Sequence, residues 1–568
     1  MLVTHEINKM KNSIYPRMES LVPGLRVMRT YKVSWLSKDL AAGITLGLVM
    51  VPVGLAFGDM AGLPMAGLYS GMLPLIAYAL FGSSRQVIIG TSSAMAALIA
   101  ISVVPLAGGD AVRLAALAGV LGLLIGVLCI SGSLFRLGFL ADLLARPVNI
   151  GFMHGLAIVI AVSQLPKFLG IRGGGDTVAD QFISVCRHLP DTNATTLILG
   201  TSCLVIILSF HRRLSNIPGQ IVSMVFAILV VYFLHLDRSG VAVLGNIPVG
   251  LPGFRVPVIS FQDFQALIPI AFAAAFLAFS DTIVISRGFA ARNNYRIDPN
   301  QELMALGIGN LAAGFTQSLL VSASGSRTAT AEAAGGRTQL TSVVAAIIVA
   351  CVMLFMTGLL YSFPYTALAG ILIAAAWNLC DFNEFKRMWR FRKAGFIIAL
   401  LTMAGIVGIG IIEGIAIGVF FSLVMVLKSL AFPGDAVLGR VNQGDFRDLN
   451  GNPKAKPVAG VIIYRFSGPL FFANCSLFHS RTDELIRSQA GELHGFIFDA
   501  SLVLDLDLSG CDTLGQLKSG LADRGIRLVI ANLRAGAKEK LILDWGARAE
   551  EKGFLVPGLE EAVLELQT

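Results

Sequence analysis

Two stretches of small polar residues, each set within apolar sequence, carry side chains suited to binding a ligand. They cover residues 86–97 (QVIIGTSSAMAA) and residues 317–337 (QSLLVSASGSRTATAEAAGGR). In both, a short apolar run precedes small polar residues and then an Ala-rich helical segment. Small polar residues in front of a good helix former are typical of a helix N-cap. The first turn of a helix has unpaired main-chain N–H groups and a positive partial charge, so each stretch predicts a place for an anion.

The candidate binding residues are the small polar residues of both stretches and one cation. They are Gly90, Thr91, Ser92, Ser93, Ser324, Gly325, Ser326, Arg327 and Thr328. Arg327 would add electrostatic attraction and N–H donors, or it would instead hydrogen-bond carbonyl groups of the broken segment. The alternative for each stretch is a Ser- and Gly-rich kink packed between helices. Their occurrence in corresponding positions of two halves favours the anion site, because inverted-repeat transporters place broken helices in this way.

Asp281 is the acidic residue that ends a long uncharged run, residues 264–280. A carboxylate within a membrane is costly unless it is paired, protonated or lines a polar cavity. Burial favours the neutral carboxyl form. We therefore predict that Asp281 is a coupling residue that carries a proton with the anion. The alternative is a structural ion pair with Arg287.

Composition places most of the chain in a membrane. Of 568 residues, 55% are hydrophobic and only 14% are charged, against about 25% charged in soluble domains. The net charge of +8 comes from basic residues at the ends of apolar runs, so we expect no nucleic-acid partner. The seven cysteines lack metal-ligand spacing. We find no P-loop or nucleophile motif, and we expect no enzyme activity, no catalytic residues, no metal and no cofactor.

Hydropathy divides the chain into two sets of seven apolar runs, the third of each set being broken. We predict a cytoplasmic tail at residues 1–38 and a transmembrane domain at residues 39–432, with repeats at about 39–236 and 264–431. A linker at residues 433–457 and a small α/β domain at residues 458–568 follow, because strands and helices alternate there. The distribution of Lys and Arg predicts that both termini are cytoplasmic.

Four stretches together resemble the SulP family of anion permeases, bacterial relatives of solute carrier family twenty-six. They are residues 51–90, 286–310, 326–340 and 460–474. The resemblance implies fourteen transmembrane segments in two inverted repeats, arranged as core and gate domains, with a cytoplasmic STAS domain. It also implies a homodimer and a small anion bound between the third and tenth segments, at residues 90–93 and 324–328.

The same resemblance implies secondary active transport of a small inorganic anion, sulfate in the first place, across the inner (cytoplasmic) membrane. Asp281 matches the family's coupling position, and Ile285 replaces a hydroxyl of its sodium-coupled members, so we expect a proton rather than sodium as the coupling ion. Bicarbonate or C4-dicarboxylate transport, or an anion channel or sensor that binds a cytosolic partner through the STAS domain, are the alternatives. Two positions depart from the family pattern: Thr91 lies where a proline is common, and Leu508 lies where STAS proteins carry a phosphorylated serine.

Overall fold

The computed structural model describes residues 22–139, 146–175, 177–213, 218–246, 249–391, 393–442, 444–489, 493–549 and 551–567. The predicted basic tail lies outside the described residues as far as residue 21. The chain forms two compact units, Met1–Phe420 and Phe421–Thr568. The first is helical apart from two short strands, and the second contains a mixed sheet with helices.

The first half of the helical unit contains the elements expected for one repeat. Its helices and its strand are α1 (Pro23–Arg29), α2 (Leu36–Met60), α3 (Pro64–Tyr69), α4 (Leu73–Phe81), β1 (Ile89–Gly90), α5 (Ser93–Leu98), α6 (Val104–Ala107), α7 (Ala111–Leu134), α8 (Arg146–Leu169), α9 (Val178–His188), α10 (Ala194–Arg213) and α11 (Gly219–Leu234). A π-helical turn joins α5 to α6.

The second half repeats this order. Its helices and its strand are α12 (Phe261–Arg292), α13 (Pro299–Phe315), β2 (Ser322–Ala323), α14 (Gly325–Ala333), α15 (Leu340–Phe355), α16 (Tyr365–Leu379), α17 (Phe382–Phe391), α18 (Lys393–Gly408) and α19 (Ile411–Ala431). Neither α9 nor α17 was predicted from hydropathy, because both are short and amphipathic.

Many of these helices are apolar enough to lie in a membrane. Among the described residues, seven helices have the length and composition to cross one, or eight if the bent pair at 178–210 counts as one span. Further apolar helices of 10–17 residues include Ser93–Ala107, Gly219–Leu234 and Leu340–Phe355. The segments predicted to be broken are short because strands β1 and β2 replace their first halves.

Strands β1 and β2 pair with each other in antiparallel fashion. Ile89 lies opposite Ala323, and Gly90 lies opposite Ser322. Because each strand leads directly into a helix, this pairing brings the N-termini of α5 and α14 to the same level of the fold. The antiparallel direction is what two repeats of opposite orientation require.

The membrane helices form two bundles. Residues 36–134 and 261–355 form one, in which α2 packs on α15 and α13 packs on α7 and α4. Residues 146–234 and 365–420 form the other, in which α8 packs on α16 and α18. We call them the core bundle and the gate bundle. Glycines allow close approach: a Cβ at Gly151 would lie 2.2 Å from the main-chain oxygen of Ala399, so α8 and α18 touch through their backbones.

The second unit is a six-stranded sheet of order β4-β3-β5-β6-β7-β8. The strands are β3 (Asp435–Asn442), β4 (Asp445–Asp448), β5 (Val461–Phe466), β6 (Gly495–Asp499), β7 (Arg527–Ala531) and β8 (Leu555–Val556). The helices are α20 (Cys475–Ser488), α21 (Leu508–Ala522), α22 (Ala535–Trp545) and α23 (Leu559–Gln567). Strands β5 to β8 are parallel, and the unit is an α/β domain, as the alternation of strands and helices predicted.

Residues 433–457 differ from the predicted linker. They contain β3 and β4, and β3 pairs with β5 from Asp435 opposite Phe466 to Leu438 opposite Ile463. The stretch is polar because most side chains of β3 and of the edge strand β4 are at least partly exposed. The α/β unit therefore includes the residues that hydropathy separated from it.

Candidate functional site

Serine side chains cap both half-helices, as the sequence predicted. The Ser92 Oγ accepts a hydrogen bond from the Met95 main-chain N–H at 3.4 Å, and the Ser324 Oγ accepts one from the Arg327 N–H at 3.4 Å. Each serine satisfies one of the four N–H groups that a helix start leaves unpaired. The remaining groups keep their positive field at the N-termini of α5 and α14.

Hydrogen bonds between the two stretches join the helix starts into one site. The Ile88 N–H donates to Thr328 Oγ1 at 3.0 Å, and the Ser324 N–H donates to the Ile88 carbonyl at 2.9 Å. The hydroxyl groups of Ser92 and Ser322 lie 2.8 Å apart. Thr328 thus has a structural role, because its hydroxyl accepts a hydrogen bond from the residue that precedes strand β1 of the other repeat.

Arg327 is the cation of the site, and it is only 4% exposed. Its Nη2 donates to the Thr91 carbonyl at 2.7 Å. A Cβ at Gly90 would lie 2.8 Å from Arg327 Nη1, so glycine leaves the room that the guanidinium occupies. Arg327 Nε has no partner among the described residues. The hydrogen bond to a carbonyl, one of the two predicted roles, is present, and it fixes a positive charge beside both helix starts.

A cavity of about 350 Å³ lies in front of these helix ends. Of the predicted binding residues, it is lined by Ser92, Ser93, Ser324, Gly325, Ser326 and Arg327. The others, Gly90, Thr91 and Thr328, lie behind it and contact Arg327 or the paired strands. Phe57 and Val53 of α2 add an apolar wall. The structure therefore brings both predicted stretches to one cavity.

Asp281 of α12 also lines the cavity. Within the described part of the chain, it has no ion pair, with Arg287 or any other residue, and it accepts no hydrogen bond. Its neighbour Thr282 accepts a hydrogen bond from the Ala323 N–H at 3.2 Å through Oγ1. Thus α12 supports β2 with one side chain and presents a carboxyl group to the cavity with the next.

The gate bundle supplies polar side chains that the sequence did not single out. Asn149 of α8, Gln220 of α11 and Asn378 of α16 line the same cavity. Each lies within four residues of a helix end, so the cavity extends towards the membrane surface on which α17 lies. The sequence offered one signal for these three residues, a polar side chain near the end of an apolar segment. Many other residues of the chain have the same feature, so the signal does not select them.

Glu302 of α13 is a second missed residue, and it supports the site from behind. Its fully buried carboxylate accepts hydrogen bonds from Tyr78 Oη at 2.6 Å, Ser83 N at 2.9 Å and Ser84 N at 2.8 Å. The hydroxyl groups of Ser83 and Ser286 donate as well. One carboxylate thereby fixes the turn that leads into β1, together with α4 and α12.

An ion pair connects the two bundles at the ends that lie away from Asn149 and Gln220. Lys167 of α8 and Asp59 of α2 are 2.5 Å apart, and the ammonium group lies 5.6 Å from the Tyr365 ring centroid. These residues border a separate cavity of about 460 Å³ that also includes Arg172. The pair therefore joins the core bundle to the gate bundle on the side away from Asn149 and Gln220.

In the α/β unit, Asp507 caps α21. Its carboxylate accepts from the Gly510 N–H at 2.7 Å and from the Phe472 N–H at 3.0 Å. Leu508, the next residue, is exposed. An apolar residue occupies the position expected for a phosphorylated serine.

Comparison with known proteins assigns both units. The family described as the Sulfate permease family matches residues 36–402, and the STAS domain matches residues 452–543. A probable sulfate transporter of Mycobacterium tuberculosis is 39% identical over 521 residues, which covers 91% of this chain and 93% of the relative. Sulfate transporter 4.1 of Arabidopsis thaliana, described as chloroplastic, is 31% identical, covering 90% and 78% of the two chains.

Two solved structures share the fold. The murine solute carrier 26 family member A9, described as an anion transporter in the inward-facing state, matches 96% of this chain and 94% of its own, with a TM-score of 0.88 and 24% identity. The transmembrane domain of the cyanobacterial bicarbonate transporter BicA matches 69% of this chain and 98% of its own, with a TM-score of 0.60 and 24% identity. These matches confirm the predicted fold class and the resemblance. The chain belongs to the sulfate permease family of membrane-embedded anion transporters and carries a C-terminal STAS domain.

Proposed function

We propose that this chain is a secondary active transporter that binds a sulfate ion between the N-termini of α5 and α14. The observation that carries the proposal is the convergence of two capped helix starts and a buried guanidinium on one cavity. All three are sources of positive potential, and the oxygens of an oxyanion accept hydrogen bonds from main-chain N–H groups. The curated relatives named sulfate transporters support sulfate as the anion.

A divalent anion suits this site for an electrostatic reason. Two half-helix fields and Arg327 supply positive charge, and the energy of each interaction grows with the charge of the ligand. The serines that line the cavity offer hydroxyl donors around that charge. A cavity of about 350 Å³ also leaves room for water around a tetrahedral ion.

Asp281 is the proposed coupling residue. Its carboxyl group lines the same cavity as the anion site, so a negative charge there would repel a bound anion. Protonation removes this repulsion, and anion and proton therefore bind together. Release of both on the other side returns Asp281 to its charged form, which disfavours rebinding of the anion.

Movement of the core bundle against the gate bundle would expose the site to each side in turn. In the present conformation the cavity extends towards the surface next to α17, and the Asp59–Lys167 pair lies on the other side. The basic residues near α17 support its assignment to the cytoplasmic face, with both termini on that face of the inner membrane. We propose a homodimer whose STAS domains bind a cytosolic partner.

Uptake by purified protein in liposomes tests the function. Radiolabelled sulfate, bicarbonate and succinate are supplied in turn, under an imposed proton gradient and then an imposed sodium gradient. We expect sulfate to accumulate under the proton gradient only. Accumulation of bicarbonate or succinate but not of sulfate would show that sulfate is not the substrate. Flux without accumulation under either gradient would indicate a channel or exchanger.

Asp281→Asn separates coupling from binding. The amide is uncharged at every pH, so this variant should still bind and exchange sulfate but should not accumulate it. Asp281→Glu keeps a titratable group and is the matched control. Concentrative uptake by Asp281→Asn at the wild-type level would contradict the coupling role.

A further inference from the structure

Helix α17 is a short amphipathic helix between two membrane helices. It covers Phe382–Phe391; two residues separate it from α16, and one residue separates it from α18. Since its neighbours are apolar helices, α17 must lie at the membrane surface. Its sequence, FNEFKRMWRF, contains four aromatic and three basic residues in ten.

One side of α17 is held by the gate bundle. The ring of Phe385 lies 4.8 Å from that of His154 on α8 and 4.9 Å from that of Phe396 on α18. Met388 is buried. Glu384 lies 2.8 Å from Arg146 at the start of α8. These contacts fix which side of the helix faces away from the protein.

Large aromatic side chains remain exposed beside this anchored side. Phe382 is 60% exposed, Trp389 is 51% exposed and Phe391 is 90% exposed. Phe382 and Trp389 lie seven residues apart and therefore share one edge of the helix. Exposed aromatic residues at a membrane boundary are stabilised by inserting their rings at the level of the lipid headgroups.

Basic residues occupy the adjoining part of the surface. Lys386 lies four residues after Phe382, and Arg390 lies four residues after Lys386, so both flank the aromatic edge. Arg387 follows on the same polar side and reaches Glu384 at 3.5 Å. Within the described part of the chain, no carboxylate pairs with Lys386 or Arg390.

We propose that α17 is a binding surface for the headgroups of anionic phospholipids. The aromatic edge lies at the acyl boundary, and Lys386, Arg387 and Arg390 bind the phosphate groups above it. This combination of aromatic and basic residues on one helix is typical of interfacial helices that select anionic lipid. Because α17 contacts α8 and α18, the bound lipids anchor the gate bundle while the core bundle moves.

Native mass spectrometry of the full-length protein tests this proposal. Purified wild type is titrated with phosphatidylglycerol and separately with phosphatidylcholine, and the bound lipids are counted. Three variants are compared: Lys386→Gln/Arg387→Gln/Arg390→Gln, the charge-preserving Lys386→Arg/Arg387→Lys/Arg390→Lys, and Arg524→Gln/Lys538→Gln/Lys552→Gln. The last removes the same charge from exposed positions of the α/β unit.

We expect wild type to prefer phosphatidylglycerol and the α17 glutamine variant to lose affinity for it by about fivefold per charge removed. The charge-preserving and α/β-unit variants should retain the preference, and phosphatidylcholine binding should not change. Equal loss in both glutamine variants would overturn the proposal, because net charge would then explain it. Unchanged selectivity in the α17 glutamine variant would also overturn it.

Discussion

The guanidinium group of Arg327 donates a 2.7 Å hydrogen bond to the main-chain carbonyl of Thr91, 236 positions earlier in the chain. The contact joins the helix start of one repeat to the strand end of the other. Because Arg327 also lines the cavity, one side chain both connects the two halves of the site and supplies its positive charge. Its two predicted roles are therefore not exclusive.

Replacing Arg327 should weaken the binding of divalent anions most. Arg327→Ala removes the charge and the hydrogen bond to Thr91, and the loss of one charge-assisted bond costs about 1.5–3 kcal/mol. Sulfate affinity should fall by roughly one to two decades, and chloride affinity by less, because the Coulomb energy scales with ligand charge. Binding titrations with both ions measure this. Arg327→Lys should retain part of the preference for sulfate over chloride, and exposed Arg337→Ala should retain all of it. Equal losses of affinity for both ions in Arg327→Ala would contradict the electrostatic role.

Filling the cavity in front of the helix ends should block binding. Ser92→Leu and Ser324→Leu place a branched apolar side chain where the anion is proposed to lie. Ser92→Ala and Ser324→Ala remove the same hydroxyl group without filling the space. Each should lower the free energy of unfolding by about 1 kcal/mol through the lost helix cap. We expect the leucine variants to lose sulfate uptake and the alanine variants to retain most of it, after folding is checked by gel filtration. Wild-type affinity in both leucine variants would place the anion elsewhere.

Glu302 should be required for stability through its hydrogen bonds. Glu302→Ala leaves the part-buried N–H group of Ser83 and the buried N–H group of Ser84 without their acceptor, and an unsatisfied buried donor costs about 1–3 kcal/mol. Glu302→Gln keeps one acceptor oxygen, and the hydroxyl groups of Tyr78 and Ser286 can turn to accept from its amide. Thermal unfolding should therefore show a much lower midpoint for the alanine variant than for the glutamine variant. Equal midpoints would mean that these hydrogen bonds contribute little.

The pair formed by Asp59 and Lys167 should couple the two bundles. Asp59→Lys and Lys167→Asp each place like charges together and should lower uptake. The double variant restores opposite charges and should recover much of the activity. A double-mutant cycle on uptake rates should give a coupling of about 0.5–3 kcal/mol. Purely additive effects would show that the pair does not act as a unit.

The α/β unit should lose stability in alkaline solution partly through Cys511. Burial raises the pKa of this thiol to about 11, above the value of about 8.5 for an exposed cysteine. The unfolded state therefore releases the proton first, and the free energy of unfolding falls as the pH rises from 8.5 towards 11. Thermal unfolding at pH 7.5, 9 and 10 should show a smaller fall for Cys511→Ala than for wild type. Exposed Cys186→Ala is the control, and identical pH dependence in all three proteins would exclude this contribution.

The sequence was sufficient for features that depend on neighbouring residues. Seven apolar runs in each half, interrupted at corresponding places, predicted two repeats with broken helices, because membrane insertion and helix capping are local properties. The capping roles of Ser92 and Ser324 follow from the same logic, since a cap and its partner are three residues apart. The alternation of strands and helices after residue 458 likewise predicted the α/β unit.

The tertiary structure decided which distant residues meet. Nothing near Glu302 indicates that Tyr78 and Ser83 surround it, and nothing near Arg327 names Thr91 as its acceptor. Asn149, Gln220 and Asn378 reach the cavity because the gate bundle packs against the core bundle. Polar residues 433–457 form strands because β5 supplies a partner for β3. In each case the deciding contact lies far away in sequence, and its free energy comes from packing and hydrogen bonding that exist only when the chain is folded.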